Sequence, residues 1–261
     1  MENSVKKVIL HRNNLTFIVF LTVICFLHFN SVVGQCKPKF QIKETIYENP
    51  LSGSKNIEDF VIESSKNDQP KITFNNGKMK LSSDVHFLIW FPDDFPDDIA
   101  VSWDFLPHND NGLAMFWFCA KGKDGEDLFD NSLNERSGQY PQYHSGDINA
   151  YHVSYFRRNP WDDPYINTVN LRKSYGNEMV AFGPNPIPNV NSEKVKKGIK
   201  QPYRIMVIKC GKFIRVKIND MVVIELTDSN PYPSGKIGFR QMANLVAEYS
   251  NLKVRRVELI D

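Results

Sequence analysis

YRIMVIKCGKFIRVKINDMVVIELT, Tyr203–Thr227, decides the fold. It holds three strand-like segments, YRIMVIKC, FIRVKI and VVIELT, with Asn219-Asp220 as a tight turn between the second and third. A strand turns successive side chains to opposite faces, so residues two apart share an environment. Segments this short, rich in β-branched and aromatic residues and joined by turn dipeptides, read as antiparallel strands.

The same pattern extends in both directions. ITFNNGKMKLSS (72–83) is a hairpin around Asn76-Gly77. HFLIWF (86–91), IAVSWDF (99–105), LAMFWFCA (113–120), YHVSYFRR (151–158) and TVNLRK (168–173) precede the opening segment, and KIGFRQM (236–242) and YSNLKVRRVELI (249–260) follow it. Pro and Gly punctuate the gaps, as in FPDDFPDD and NPYPSG. There is no sustained 3.6-residue period and no internal repeat. Some dozen strands without intervening helices imply an all-β chain, an antiparallel β-sandwich of jelly-roll type. Lys121–Asn149 is too long for an ordinary connection and carries Tyr140, Tyr143, His144 and Asp147, so it reads as the lid or wall of a cleft.

The N-terminus reads as a leader. Lys6, Lys7 and Arg12 precede an apolar run from Leu15 to Phe29, and Val32-Val33-Gly34 offers a cleavage site. The run is short for a membrane span; an uncleaved anchor is the alternative. The expected organisation is a signal peptide over 1–34 and a single β-sandwich domain over 35–261, with export to the periplasm or the exterior and no membrane association beyond that. Without the leader, basic and acidic residues balance, which argues against nucleic acid or any polyanion held by bulk charge. Cys36, Cys119 and Cys210 remain, too few for a disulfide scaffold, and the latter two read as small buried apolar residues. CxxC and HExxH spacings are absent, so no metal ligands and no cofactor are expected. Calcium on the Asp93-Asp94…Asp97-Asp98 run is the alternative to two solvated turns. Lys194, Lys196, Lys197 and Lys200 read as a solvated connector, and Trp161 with Asp162-Asp163 as a capped turn.

Period two also assigns faces. Val101, Trp103 and Phe105 are core, leaving Ser102 and Asp104 outward; Val169 and Leu171 are core, leaving Thr168, Asn170 and Arg172; Ile237 and Phe239 turn Arg240 out. In YHVSYFRR, inward Val153 and Tyr155 place His152, Ser154, Phe156 and Arg158 on the polar face, with Arg157 and Lys173 opposite. If these strands share a sheet, His152, Arg158, Asn170, Arg172 and Arg240 line one surface. Trp117 is a candidate stacking platform and His144 enters from the long loop. The plain alternative is ion pairing of each Arg with the plentiful carboxylates.

That residue set suits one reaction better than hydrolysis. Glycoside hydrolysis normally needs two carboxylates across the bond, and Asp104 is the only strand-borne candidate. Elimination on a uronic acid needs cations to neutralise the carboxylate beside the acidified carbon, a base and an acid. Arg158 and Arg172 fit the first role, His152 the second and Tyr175 the third, with His144, Asn170, Arg240 and Trp117 as further contacts. The expected partner is an acidic oligo- or polysaccharide, and the expected class a carbon–oxygen lyase, as a polysaccharide lyase or an oligosaccharide dehydratase. A non-catalytic carbohydrate-binding protein and a glycoside hydrolase are the alternatives.

FPDDIAVSWDF, GLAMFWF, INAYHVSYFRRNP, NTVNLRKSYG, NPIP and GKIGFRQM together resemble the YesU-like proteins, the domain-of-unknown-function family nineteen-sixty-one. The likeness runs from about Tyr47 to the C-terminus. It implies a concanavalin A-like jelly roll and a setting of acidic polysaccharide breakdown, on polymers such as ulvan or rhamnogalacturonan. It supplies no catalytic motif, so the roles above rest on the residues alone.

Overall fold

The computed structural model describes residues 37–67, 69–158, 167–190, 201–242 and 244–260. The leader, Cys36, the Trp161 turn and the Lys194 connector lie outside them. The compact unit from Pro38 onward is almost wholly strand.

Fifteen strands are described: β1 (Lys39–Asn49), β2 (Val61–Glu63), β3 (Lys71–Asn75), β4 (Lys78–Ser82), β5 (Phe87–Trp90), β6 (Ile99–Pro107), β7 (Leu113–Gly122), β8 (Ile148–Arg157), β9 (Thr168–Lys173), β10 (Glu178–Pro184), β11 (Tyr203–Cys210), β12 (Phe213–Ile218), β13 (Met221–Thr227), β14 (Lys236–Met242) and β15 (Val246–Ile260). One short helix, α1 (Tyr140–His144), lies in the long connection after β7. The strands form two antiparallel sheets. One runs β13-β12-β11-β6-β15-β4-β3, with β1 also on β15; the other runs β10-β9-β8-β7-β14-β5-β2. This is the β-sandwich that the alternation implies.

Between the sheets lies one apolar core. Trp103, Phe105, Phe116, Tyr155, Phe239 and Tyr249 pack there edge-to-face or tilted, with centroids 4.6–5.9 Å apart. Such geometry matches the ring quadrupoles. Asn76 and Asn219 take positive φ in the two tight hairpins, as Asn tolerates.

The two sheets differ on their outer faces. β4 and β12 alternate buried with half-buried residues, as a sheet facing water should. β7, β8 and β14 are buried almost throughout, so the outer face of their sheet is covered as well. The cover is the connection after β7. Leu128 and Tyr143, with Phe129, Leu133 and Tyr140 at the margin, pack with Ile148 of β8 on Leu88, Trp90, Met115 and Trp117 to make a second apolar cluster. The long connection therefore packs on this sheet as an apolar cover. Gly238 sits between Trp90 and Trp117 in the register, and a Cβ there would lie 2.7 Å from the Trp90 ring. Its missing side chain lets the two indoles meet at 6.4 Å.

Cys119 and Cys210 are buried free thiols. The acidic run is held by lysines: Asp94 contacts Lys121 and Lys236, and Asp97 contacts Lys209. Among the described residues no cluster of His, Cys, Asp and Glu has the arrangement of a metal site.

Candidate functional site

Register places the site. Across the covered face, directly opposed residues form two rungs. The first is Val61, Trp90, Gly238, Trp117, His152, Arg172, Met179; the second is Glu63, Leu88, Arg240, Met115, Ser154, Asn170, Phe182. Strands β8, β9 and β14 therefore bring His152, Asn170, Arg172 and Arg240 to one surface, with Trp117 between them.

Arg158 is not there. The ladder shifts between Ala114↔Phe156 and Met115↔Ser154, a β-bulge that places Tyr155 and Phe156 both in the inner core. One extra residue inverts the parity beyond it. Arg157, expected to point away, joins the outer face, where its Nε lies 3.1 Å from the Asn170 side-chain oxygen once that amide is turned to satisfy its neighbours. Arg158 instead donates to the carbonyls of Arg157 and Ile187 and lies 3.9 Å from Asp110. It ties down a strand end.

Tyr175 is likewise not beside His152. It is exposed in the turn between β9 and β10, with Lys123 Nζ 3.9 Å from its ring centroid. The phenol that meets the imidazole belongs to Tyr140 on α1. Its Oη lies 2.9 Å from His152 Nε2 and donates to Asn177 Oδ1 at 2.8 Å. Arg172 Nη1 donates to the Asn177 carbonyl at 2.9 Å, so Asn177 links the guanidinium to the phenol. The sequence offered one signal for Tyr140, the length of its connection, and none for Asn177.

His152 is fully buried and lies flat on Trp117. Burial drives its pKa well below 6.5, and the charges of Arg172, Arg240 and Arg157 and the ring of His144 add to the shift. It is neutral at physiological pH. His144 shifts down by burial and by the same Arg172 and Arg240, and its ring meets Tyr140 edge-on at 4.5 Å. Burial raises the Tyr140 pKa, opposed by Arg172, Arg240 and Arg157. Arg240 is fully buried under Tyr140 and Tyr143, donates one bond to the Gly138 carbonyl, and is pulled down to about 10 by desolvation.

Among the described residues His152 Nδ1, Trp117 Nε1, Ser154 Oγ and Arg240 Nε and Nη1 are buried without a hydrogen-bond partner, as are Ser102 Oγ, Trp103 Nε1, Tyr155 Oη and Arg158 Nε elsewhere. One observation marks this face: its cations outnumber its anions. The strands place one carboxylate here among the described residues, Glu63, which accepts from Trp90 Nε1 (2.9 Å) and pairs with Arg136 (2.8 Å). Asp104 lies on the other sheet, bonded to Arg204 and Asn251. Trp117 is closed over by Tyr140, Tyr143 and His152, so it backs the site and is no open platform. An open groove of about 410 Å³ on the other sheet, lined by Lys71, Thr73, Asn75, Lys80, Ser82 and Val246, has neither imidazole nor aromatic ring.

Residues 44–254 match the family model described as Domain of unknown function (DUF1961). The chain belongs to the DUF1961 family. Over 219 residues it is 40% identical to the uncharacterized protein YesU of Bacillus subtilis (strain 168), covering 81% of this chain and 95% of that one. A crystal structure from Bacillus subtilis, a protein of unknown function with a galectin-like fold, superposes with a TM-score of 0.77 at 39% identity, over 84% of this chain and 99% of that one. The exoplasmic/lumenal domain of VIP36, solved with Ca2+ and Man3GlcNAc, matches with a TM-score of 0.56 at 10% identity, over 84% of this chain and 92% of that one. That last likeness is of fold alone. Within DUF1961, then, the sandwich is galectin-like, and the His152–Tyr140 centre sits on the face that the long connection covers.

Proposed function

We propose that this DUF1961 protein is an exported carbohydrate-active lyase that binds a uronate-containing oligo- or polysaccharide, ulvan-type polymers among the candidates, at the mouth formed by Arg172, Arg157, His144 and Tyr140. The observation that carries the reading is the Tyr140–His152 hydrogen bond inside a ring of guanidinium groups whose one strand-borne carboxylate is already paired. Such a field favours a carboxylated sugar, and among the described residues the strands of this face supply no second carboxylate for the paired acids of hydrolysis.

The chemistry follows from exposure. His152 has no exposed surface, whereas Tyr140 is half-buried. Tyr140 therefore touches the substrate and His152 is its proton partner, which revises the roles of base for His152 and acid for Tyr175. Arg172 and Arg157 neutralise the sugar carboxylate and acidify the proton at C5. The phenol carries that proton to the oxygen leaving C4. The C5–H electron pair becomes the C4=C5 double bond, and the C4–O pair stays with the departing oxygen. In its Nδ1–H tautomer, neutral His152 accepts through Nε2 the phenol's own proton, turned from Asn177 Oδ1, during the transfer and returns it afterwards. The substrate's negative charge offsets the arginines that hold His152 neutral, so binding strengthens the imidazole as a proton acceptor.

The test is direct. Purified protein is incubated with ulvan, pectic and alginate oligomers while absorbance of the unsaturated uronate is followed. Growth of that chromophore with some oligomer supports the reading. Saturable binding without product on every polymer would instead assign the protein to carbohydrate binding.

A further inference from the structure

We infer that Tyr175 and Phe182 are stacking platforms for sugar rings flanking the Arg172–Tyr140 centre, so that the ligand is an oligosaccharide or a polymer segment rather than one sugar; this rests on the proposed saccharide reading. Exposed apolar side chains are ordinary when scattered. These two are not scattered. Among the described residues they are the exposed aromatics, each 61% accessible, while the other large exposed hydrophobics are aliphatic. Both border the site. Phe182 lies opposite Asn170 in the ladder between β9 and β10, on the face that carries His152 and Arg172. Tyr175 occupies the turn in which Asn177 bonds Tyr140 and Arg172, and the next residue, Gly176, donates its amide to the His144 carbonyl at 2.6 Å.

The spacing fits an extended ligand. Asn170 and Lys173, the last residue of β9, are three residues apart, about 10 Å at the strand rise, with Arg172 between them and Tyr175 in the turn beyond. That span exceeds a single pyranose ring. The C–H faces of sugars pack on aromatic rings much as apolar groups do, without regard to charge. Lys123 Nζ over the Tyr175 ring fixes one side of it and adds a cation at the rim. A central anionic sugar on Arg172 would thus carry a neighbour towards Phe182 and another towards Tyr175.

Calorimetry on the wild type, Y175A, F182A and the double variant tests this, using uronate oligomers from monomer to hexamer and neutral glucan oligomers of the same lengths. Both positions are exposed, and thermal melts confirm folding. Wild-type affinity is expected to rise with chain length, and each variant to lose roughly 2- to 12-fold for long oligomers while the shortest bound uronate is unaffected. Unchanged affinity for long oligomers, or equal loss for short and long, overturns the platform assignment. Length-dependent binding of neutral but not acidic oligomers, lost in the variants, leaves the platforms standing and overturns the uronate reading. Absence of binding to either series overturns both.

Discussion

His152 and Trp117 lie face to face, with ring centroids 4.1 Å apart and planes 18° from parallel, and the same imidazole meets Tyr140 through Nε2. The stack closes one side of the imidazole to water while three guanidinium groups act on it. A proton on that ring is therefore costly unless an anion arrives.

This predicts a pH dependence of stability. The folded His152 pKa lies below its unfolded value, so above pH 6.5 both states are neutral and the residue contributes no slope. As pH falls below 6.5 the unfolded chain takes up a proton that the native site refuses, and stability drops by about 1.4 kcal/mol per pH unit until the native ring titrates. His144 and His86 shift in the same direction and steepen the fall. Urea unfolding between pH 6.5 and 5 should show this loss, and His152→Asn should flatten it. A slope the substitution leaves unaltered would mean His152 protonates normally in the native state.

Tyr140→Phe keeps the ring that packs on Trp117 and removes the hydroxyl that joins His152 to Asn177. If the phenol transfers the proton, the rate of chromophore formation should fall by roughly 10²- to 10⁴-fold while oligomer affinity changes little. Tyr175→Phe should leave turnover near the wild-type rate. Retention of activity in Tyr140→Phe would dismiss the phenol as acid and base.

Arg172 and Arg158 should separate in their effects. Arg172 faces the mouth, and Arg172→Ala is expected to weaken binding of uronate oligomers by roughly 10- to 100-fold, as loss of a charged hydrogen bond does. Arg158 serves two carbonyls at the end of β8, so Arg158→Ala should cost about 1–3 kcal/mol of stability and leave affinity intact. Chemical denaturation and calorimetry on the same pair distinguish the roles, and a binding defect in the Arg158 variant would place it back at the ligand.

Alternation made much of this legible. It located the strands that flank the core and set His152, Asn170, Arg172 and Arg240 facing outward, because each lies directly next to a buried, inward-facing apolar residue. It missed β1, whose KFQIKETIYEN is exposed at most positions along an edge, and β10, where EMVAFGP carries no clear period. It misplaced Arg158 because a bulge depends on the partner strand: nothing within YHVSYFRR says that Tyr155 and Phe156 both turn inward. Tyr140 and Asn177 lie in connections, where no periodicity assigns a direction. Their positions follow from the cover that the connection forms over β7 and β8, a tertiary fact that local pattern does not encode.

That cover has an identifiable clamp. Glu63 on β2 accepts from Trp90 and pairs with Arg136, and the side chains of the pair are 9% and 5% exposed. Arg136 also donates to the Leu128 carbonyl at 2.7 Å, so one guanidinium ties the connection to itself and to the sheet. Breaking a buried pair from one side leaves a stranded charge and costs about 3–5 kcal/mol, whereas an exposed pair such as Lys66–Glu135 contributes about 1 kcal/mol at most. Arg136→Met should therefore destabilise the protein severely and raise amide exchange across residues 121–147. Adding Glu63→Gln should recover part of the loss, because it removes the stranded charge and can still accept from Trp90. Since Tyr140 rides on this connection, turnover should fall with the clamp even though Glu63 and Arg136 do not border the mouth. A loss in Arg136→Met no larger than that of an exposed pair, with exchange unchanged, would show that apolar packing under Tyr143 and Leu128 holds the cover by itself.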